Sequence, residues 1–146
     1  MRRLAVLLAA SLLACAHKSS GEPTSLRTET VKEDQAEVVV ELLYAAVAPR
    51  RVELTLKMRV TGLVETNKLV AEVYIQGFNV EDGYTRWDGF VPPRQPQTFR
   101  VVLSIPDDHD EATAKVSLVR SHDSHVLLRE ELAFAVDAAG AVTLKR

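Results

Sequence analysis

The stretch "RVELTLKMRVT", residues 51–61, constrains the fold most. Val52, Leu54, Leu56, Met58 and Val60 alternate with Arg51, Glu53, Thr55, Lys57, Arg59 and Thr61 without an error. Period two places successive side chains on opposite faces of an extended strand, one dry and one wet. A helix would scatter the same residues around its axis, so no helical placement buries them together. The alternation returns in Leu69, Ala71, Val73 and Ile75, in Phe99, Val101, Leu103 and Ile105, and in Ala114, Val116 and Leu118. Val126, Leu128, Leu132, Phe134 and Val136 share one face of the last long run, with Glu130 interrupting it.

Turn chemistry separates these runs: Ala48-Pro49-Arg50, Thr61-Gly62, Glu81-Asp82-Gly83, Asp88-Gly89, the proline-rich 92–96, Pro106-Asp107-Asp108, and Ser121 to Ser124. Short half-buried strands at this spacing predict an all-β protein, a single antiparallel Ig-like β-sandwich of about seven strands. The segments fall near 37–47, 51–61, 68–78, 84–87, 97–105, 112–120 and 125–136. Val38-Val39-Val40 favours strand over helix for the first, although Thr30 to Glu33 has capping-box spacing. Residues 137–146 either add an edge strand through Val142 and Leu144 or trail off. No helical segment separates the strands, which argues against a βαβ layout.

The amino terminus follows a different logic. Arg2 and Arg3 precede Leu4 to Ala14, eleven residues with only Ser11 polar. A membrane-spanning helix needs about 20 apolar residues. This run is too short for that and suits the apolar centre of a cleavable secretory signal, here residues 1–14. Leu12-Leu13-Ala14-Cys15 resembles the lipobox of bacterial lipoproteins, with Leu13 bulkier than is usual at its position. The resemblance implies cleavage before Cys15, diacylglycerol on its thiol, and acylation of the new amino group. It also implies residence in the cell envelope. Ala16, where an Asp would mark inner-membrane retention, points to the outer membrane of a Gram-negative bacterium. Residues 15–35, rich in Ser, Thr, Gly, Pro and charge, read as the lipidated cysteine and a flexible tether, leaving 36–146 as the domain.

A formal net charge of −2 offers no basic field for nucleic acid. The single cysteine excludes an internal disulfide and any multi-thiolate zinc site. The chain has no Gly-x-Ser-x-Gly elbow, phosphate loop or zinc-protease helix, so no enzyme is expected. Three clusters remain. Glu81 and Asp82, with Asp107, Asp108 and Asp110, are acidic turn residues assigned to one end of the sandwich, and could offer oxygen ligands to Ca²⁺. His122 and His125 flank Asp123 in a turn at the opposite end. Tyr84, Arg86, Trp87 and Phe90 concentrate residue types that anchor binding surfaces, with Trp87 alternatively a core plug. The expected role is a non-catalytic module that docks another envelope protein. The alternative is a tethered domain that binds a glycan or calcium.

Overall fold

The computed structural model describes residues 21–33, 36–62 and 68–145. The signal segment 1–14, Cys15 and the start of the tether lie outside the described residues. β1 (Thr24–Glu33), β2 (Ala36–Ala48), β3 (Arg51–Gly62), β4 (Lys68–Gln76) and β5 (Asn79–Gly83) are followed by β6 (Arg86–Phe90), β7 (Gln97–Ser104), β8 (Glu111–Arg120), β9 (His125–Val136) and β10 (Val142–Lys145). They form two five-stranded sheets, ordered β1-β2-β3-β7-β5 (sheet A) and β10-β9-β8-β4-β6 (sheet B). Every pairing is antiparallel. No described residue is helical.

β3 carries out its sequence pattern literally. Val52, Leu54, Leu56, Met58 and Val60 are all buried, while the residues between them reach solvent. Its register sets Val60, Met58, Leu56 and Leu54 opposite Val38, Val40, Leu42 and Tyr44 of β2. Ala112, Ala114, Val116 and Leu118 of β8 face the same way opposite Phe134, Leu132, Glu130 and Leu128 of β9. Buried residues from both sheets belong to one apolar cluster, so the two sheets share a core. Phe134 is fully buried in it between Tyr44 of sheet A (ring centroids 6.1 Å apart) and Phe78 of the β4–β5 connection (5.7 Å, edge-on).

The structure corrects the sequence expectation at two strands and decides it at a third. Thr24–Glu33 was assigned to the flexible tether; it is β1, paired with β2 along its length. Glu81-Asp82-Gly83 reads as a turn in sequence, yet it lies within β5, an edge strand hydrogen-bonded to β7. Val142–Lys145 is a true edge strand on β9. The same geometry explains Glu130. It lies opposite Val116 on the inward face, near the open side of sheet B, where its carboxylate meets Arg27 of β1 at 2.8 Å. Arg27 also holds Glu29 at 2.5 Å, so an ion cluster closes the flank between the sheets where apolar side chains would meet water.

Candidate functional site

β5 and β6 are consecutive in sequence but belong to different sheets, and the crossing occurs at Gly83 to Thr85. β5 pairs with β7 only as far as Gly83 opposite Val101. The Gln97–Arg100 half of β7 therefore has no β5 residue beside it. Beyond the crossing, β6 runs along β4 with Phe90 opposite Lys68 and Arg86 opposite Glu72. A cleft of about 180 Å³ opens between these two strand edges, lined by Tyr84, Arg86, Trp87, Thr98, Phe99 and Arg100.

Each wall has a local cause. Trp87 occupies an inward position of β6, opposite Ala71, and packs half-buried against the core margin. Its indole lies over Gly89, where a Cβ would stand 2.8 Å from the Trp87 six-membered ring. A side chain at 89 would displace the ring. Tyr84 is 81% exposed beside the crossing. Arg86 points outward and pairs with Glu72 at 3.1 Å. Arg100 is held by Glu53 at 2.7 Å and Asp82 at 3.0 Å, which neutralise its charge within the chain. Neither reading of Trp87 is complete, because the ring both seals the core edge and floors the cleft. Of the four residues predicted from the hairpin, Tyr84, Arg86 and Trp87 meet in the cleft. Phe90, 65% exposed, lies on the outer face of sheet B outside it.

The acidic set does not converge. Glu81 and Asp82 lie within β5, not in a loop, and face Arg51 (3.9 Å) and Arg100. Asp107 approaches Arg50 at 3.4 Å, and Asp108 pairs with His109 at 2.9 Å. The hydrogen bond from His109, with the backbone amide of Asp108 behind it, lowers the Asp108 carboxyl below its ordinary value. The peptide oxygen of Asp110 accepts from Val136 N–H. Among the described residues no group of three or more His, Cys, Asp or Glu could hold a metal ion. The physical reason is Arg50, which in sequence is only one residue of the Ala48-Pro49-Arg50 turn. From a left-handed backbone position (φ 59°) its guanidinium enters the 105–109 loop and donates to the carbonyl oxygens of Ile105 (2.9 Å), Pro106 and His109. A cation already occupies the place where the acidic turn would gather one.

No protein-family model matches this chain, and no curated protein matches it either.

At the far end, the 121–124 turn is organised by charge as well. Arg120 is buried at the inward face of β8, and Asp123 receives its guanidinium at 2.9 and 2.5 Å. Asp123 also accepts from the His125 peptide N–H at 3.1 Å, so its oxygens serve the turn. The Arg120 bonds, followed by the His125 amide, hold the Asp123 carboxyl far below the usual carboxylate range, against the opposing effect of partial burial. A group whose folded-state pKa is depressed stabilises above its unfolded value, near 3.9, and stops doing so as pH falls through the folded one. Acid titration followed by circular dichroism is expected to show stability falling below about pH 4. Asp123→Asn should flatten part of that slope while lowering the melting temperature at pH 7. An unchanged acid slope in that variant would assign the acid lability elsewhere.

Proposed function

We propose that this chain is a bacterial lipoprotein of the cell envelope, anchored by acyl chains on Cys15 and acting as a non-catalytic protein-interaction module. The order of Arg2-Arg3, the apolar run 4–14, Ala14 and Cys15 carries the reading, because it leaves one thiol at the boundary between a short apolar segment and a polar one. Each buried CH₂ contributes about 0.8 kcal/mol, and one chain alone holds a protein only reversibly. A diacylglycerol plus an amide-linked chain on Cys15 makes attachment effectively permanent. Ala16 favours the outer membrane. The domain it carries is read as an Ig-like sandwich, and two antiparallel sheets on one core support that class.

The binding surface in this reading is the β5–β6 crossing, where Tyr84, Arg86 and Trp87 line a cleft and Phe90 stands exposed beside it. Large, rigid side chains held on a strand bury contact area at low entropic cost. The reading assigns the cleft, lined by Tyr84, Arg86, Trp87, Thr98, Phe99 and Arg100, to binding and not to catalysis. A second reading, a tethered glycan-binding domain, draws on the same cleft, since a Trp and a Tyr beside two Arg suit a sugar ring.

Cys15→Ser is expected to move the natively expressed protein from the detergent phase to the aqueous phase in a partition assay. The far-ultraviolet spectrum should not change. Wild-type mass spectrometry should show added acyl mass on Cys15, and its absence would defeat the anchor. Calorimetry against a glycan panel and Ca²⁺ separates the two binding readings: heat that Trp87→Ala abolishes favours the glycan, and its absence leaves the protein partner.

A further inference from the structure

The two sheets end in strand edges of different kinds. An exposed edge presents unpaired N–H and C=O groups, a template for another strand, and proteins blunt it with inward charges, bulges or short length. β1 carries inward charge: Arg27 and Glu29 lie opposite the core residues Leu42 and Val40. β5 is bulged between Val80 and Asp82. β10 has four residues, and the part of β9 beyond it turns Glu130 inward opposite Val116. β6, five residues long, carries neither a bulge nor an inward charge. Its register on β4 is unbroken, and its inward positions hold Trp87 and Gly89.

The phase of the free edge can be read from one bond. Val73 N–H donates to Thr85 O at 2.7 Å, extending the register in which Glu72 faces Arg86. In an antiparallel pair alternate residues aim both backbone groups at the same neighbour. Thr85, Trp87 and Gly89 therefore bond toward β4, while Arg86, Asp88 and Phe90 aim theirs at the outer edge, where no described strand pairs with β6. A strand that pairs with β6 must match this phase. For a second copy related by a two-fold axis, every register centred on a residue of this edge keeps the phase, and the side chains choose among them. Centring on Thr85 sets Asp88 opposite Asp82, and centring on Gly89 sets Asp88 opposite Phe90 and Arg86 opposite Pro92, so neither pairs opposite charges. Centring on Arg86 or on Asp88 sets that residue opposite itself, and like charges directly opposite are destabilising. Centring on Trp87 sets Arg86 opposite Asp88 of the second copy twice over, with Tyr84 and Phe90 facing each other at both ends. In that register Arg86 and Asp88 form the hydrogen-bonded pairs, and Trp87 faces its counterpart in the non-bonded one.

We infer that β6 pairs with β6 of a second copy, antiparallel and centred on Trp87, joining sheet B of both into one continuous sheet. The inference rests on the reading that the β5–β6 crossing is an interaction surface, and it names the partner. The side chains agree with it. Asp88 is exposed and forms no ion pair with any other described residue. Arg86 uses one nitrogen on Glu72, and a guanidinium carries five N–H donors, enough for a second carboxylate. Arg86, Asp88 and Phe90 share the outer face with Lys68, Val70 and Glu72, so all cross-edge pairs meet on one side. Phe90 and Tyr84, 65% and 81% exposed in one copy, become covered. A two-fold contact of this kind closes on itself and does not propagate into a fibre.

The test uses sedimentation velocity on the full chain carrying Cys15→Ser, which removes lipid as a cause of association. A dimer is expected. Asp88→Arg sets Arg against Arg across the edge, and Arg86→Asp sets Asp against Asp; each should weaken self-association roughly tenfold or more. Mixing the two variants should restore a dimer, because each then meets its opposite charge. Urea midpoints near wild type establish that both variants are folded. A wild-type monomer at every concentration, or a dimer indifferent to both reversals, overturns the pairing. The broader reading fails separately: crosslinking in whole cells from the 84–90 segment would then capture no envelope protein.

Discussion

Phe134→Ala is expected to lower the unfolding free energy by about 3–5 kcal/mol, the range for deleting a fully buried aromatic ring. Phe134 has no exposed surface and lies where three structural pieces meet: β9 of sheet B, Tyr44 of sheet A, and Phe78 of the β4–β5 connection. Truncation removes the ring's own transfer energy and leaves a cavity whose walls are two other rings held by their own strands, so collapse is incomplete. Urea denaturation should show a lower midpoint with an unchanged slope, since the surface exposed on unfolding hardly differs. Phe134→Leu fills part of the space and should lose less. Phe90→Ala is the control, a ring 65% exposed whose removal should stay within about 0.5 kcal/mol. A loss below about 1 kcal/mol for Phe134→Ala would mean that the sheets are joined elsewhere.

Phe134 was legible in advance because a strand buried on one face writes its core into every second residue. The strands that escaped notice are those for which this rule is broken by position. β1 turns Arg27 and Glu29 to the inward side at a flank, so its sequence TSLRTETVKE shows no apolar stripe and resembles linker. β5, with all five residues exposed, shows no alternation and its Glu81-Asp82-Gly83 reads as a turn, because an edge strand needs no buried face. Glu130 looked like an error in the β9 pattern and is the partner of Arg27, a contact between residues 103 positions apart. The aromatic hairpin was visible as composition, but not the cleft, which needs the strand to change sheets. Arg50 was invisible for the same reason. In sequence it is half of an Arg-Arg pair beside a proline; in space it holds a loop more than fifty residues away. Period and turn chemistry are local, whereas ion pairs at flanks and guanidinium-held loops depend on which distant segments meet.

Gly83→Val should be among the most damaging single substitutions outside the core, and it tests how the candidate site is positioned. Gly83 has φ 83°, a left-handed value that L side chains rarely adopt, and a Cβ there would stand 2.5 Å from the Arg100 carbonyl oxygen. Both constraints come from one event: β5 makes its last bond to β7 and turns away toward sheet B. Backbone strain at such a position costs about 1–3 kcal/mol. Forcing extra atoms against a packed neighbour costs about 1–3 kcal/mol more, so the expected loss is roughly 2–6 kcal/mol. Gly83→Ala should fall lower in that range, having the same φ penalty and fewer atoms to place. The consequence is not confined to stability. Tyr84 follows directly, and Trp87 is four residues after Gly83, so any shift of the turn moves the cleft's Tyr84 and Trp87 against Thr98 to Arg100 of β7. Trp87 is the only tryptophan in the chain, and its emission reports that movement alone. A red shift is expected in Gly83→Val under conditions where circular dichroism still shows native strand content. If the emission maximum stays fixed while stability falls, the crossing is strained but does not set the site.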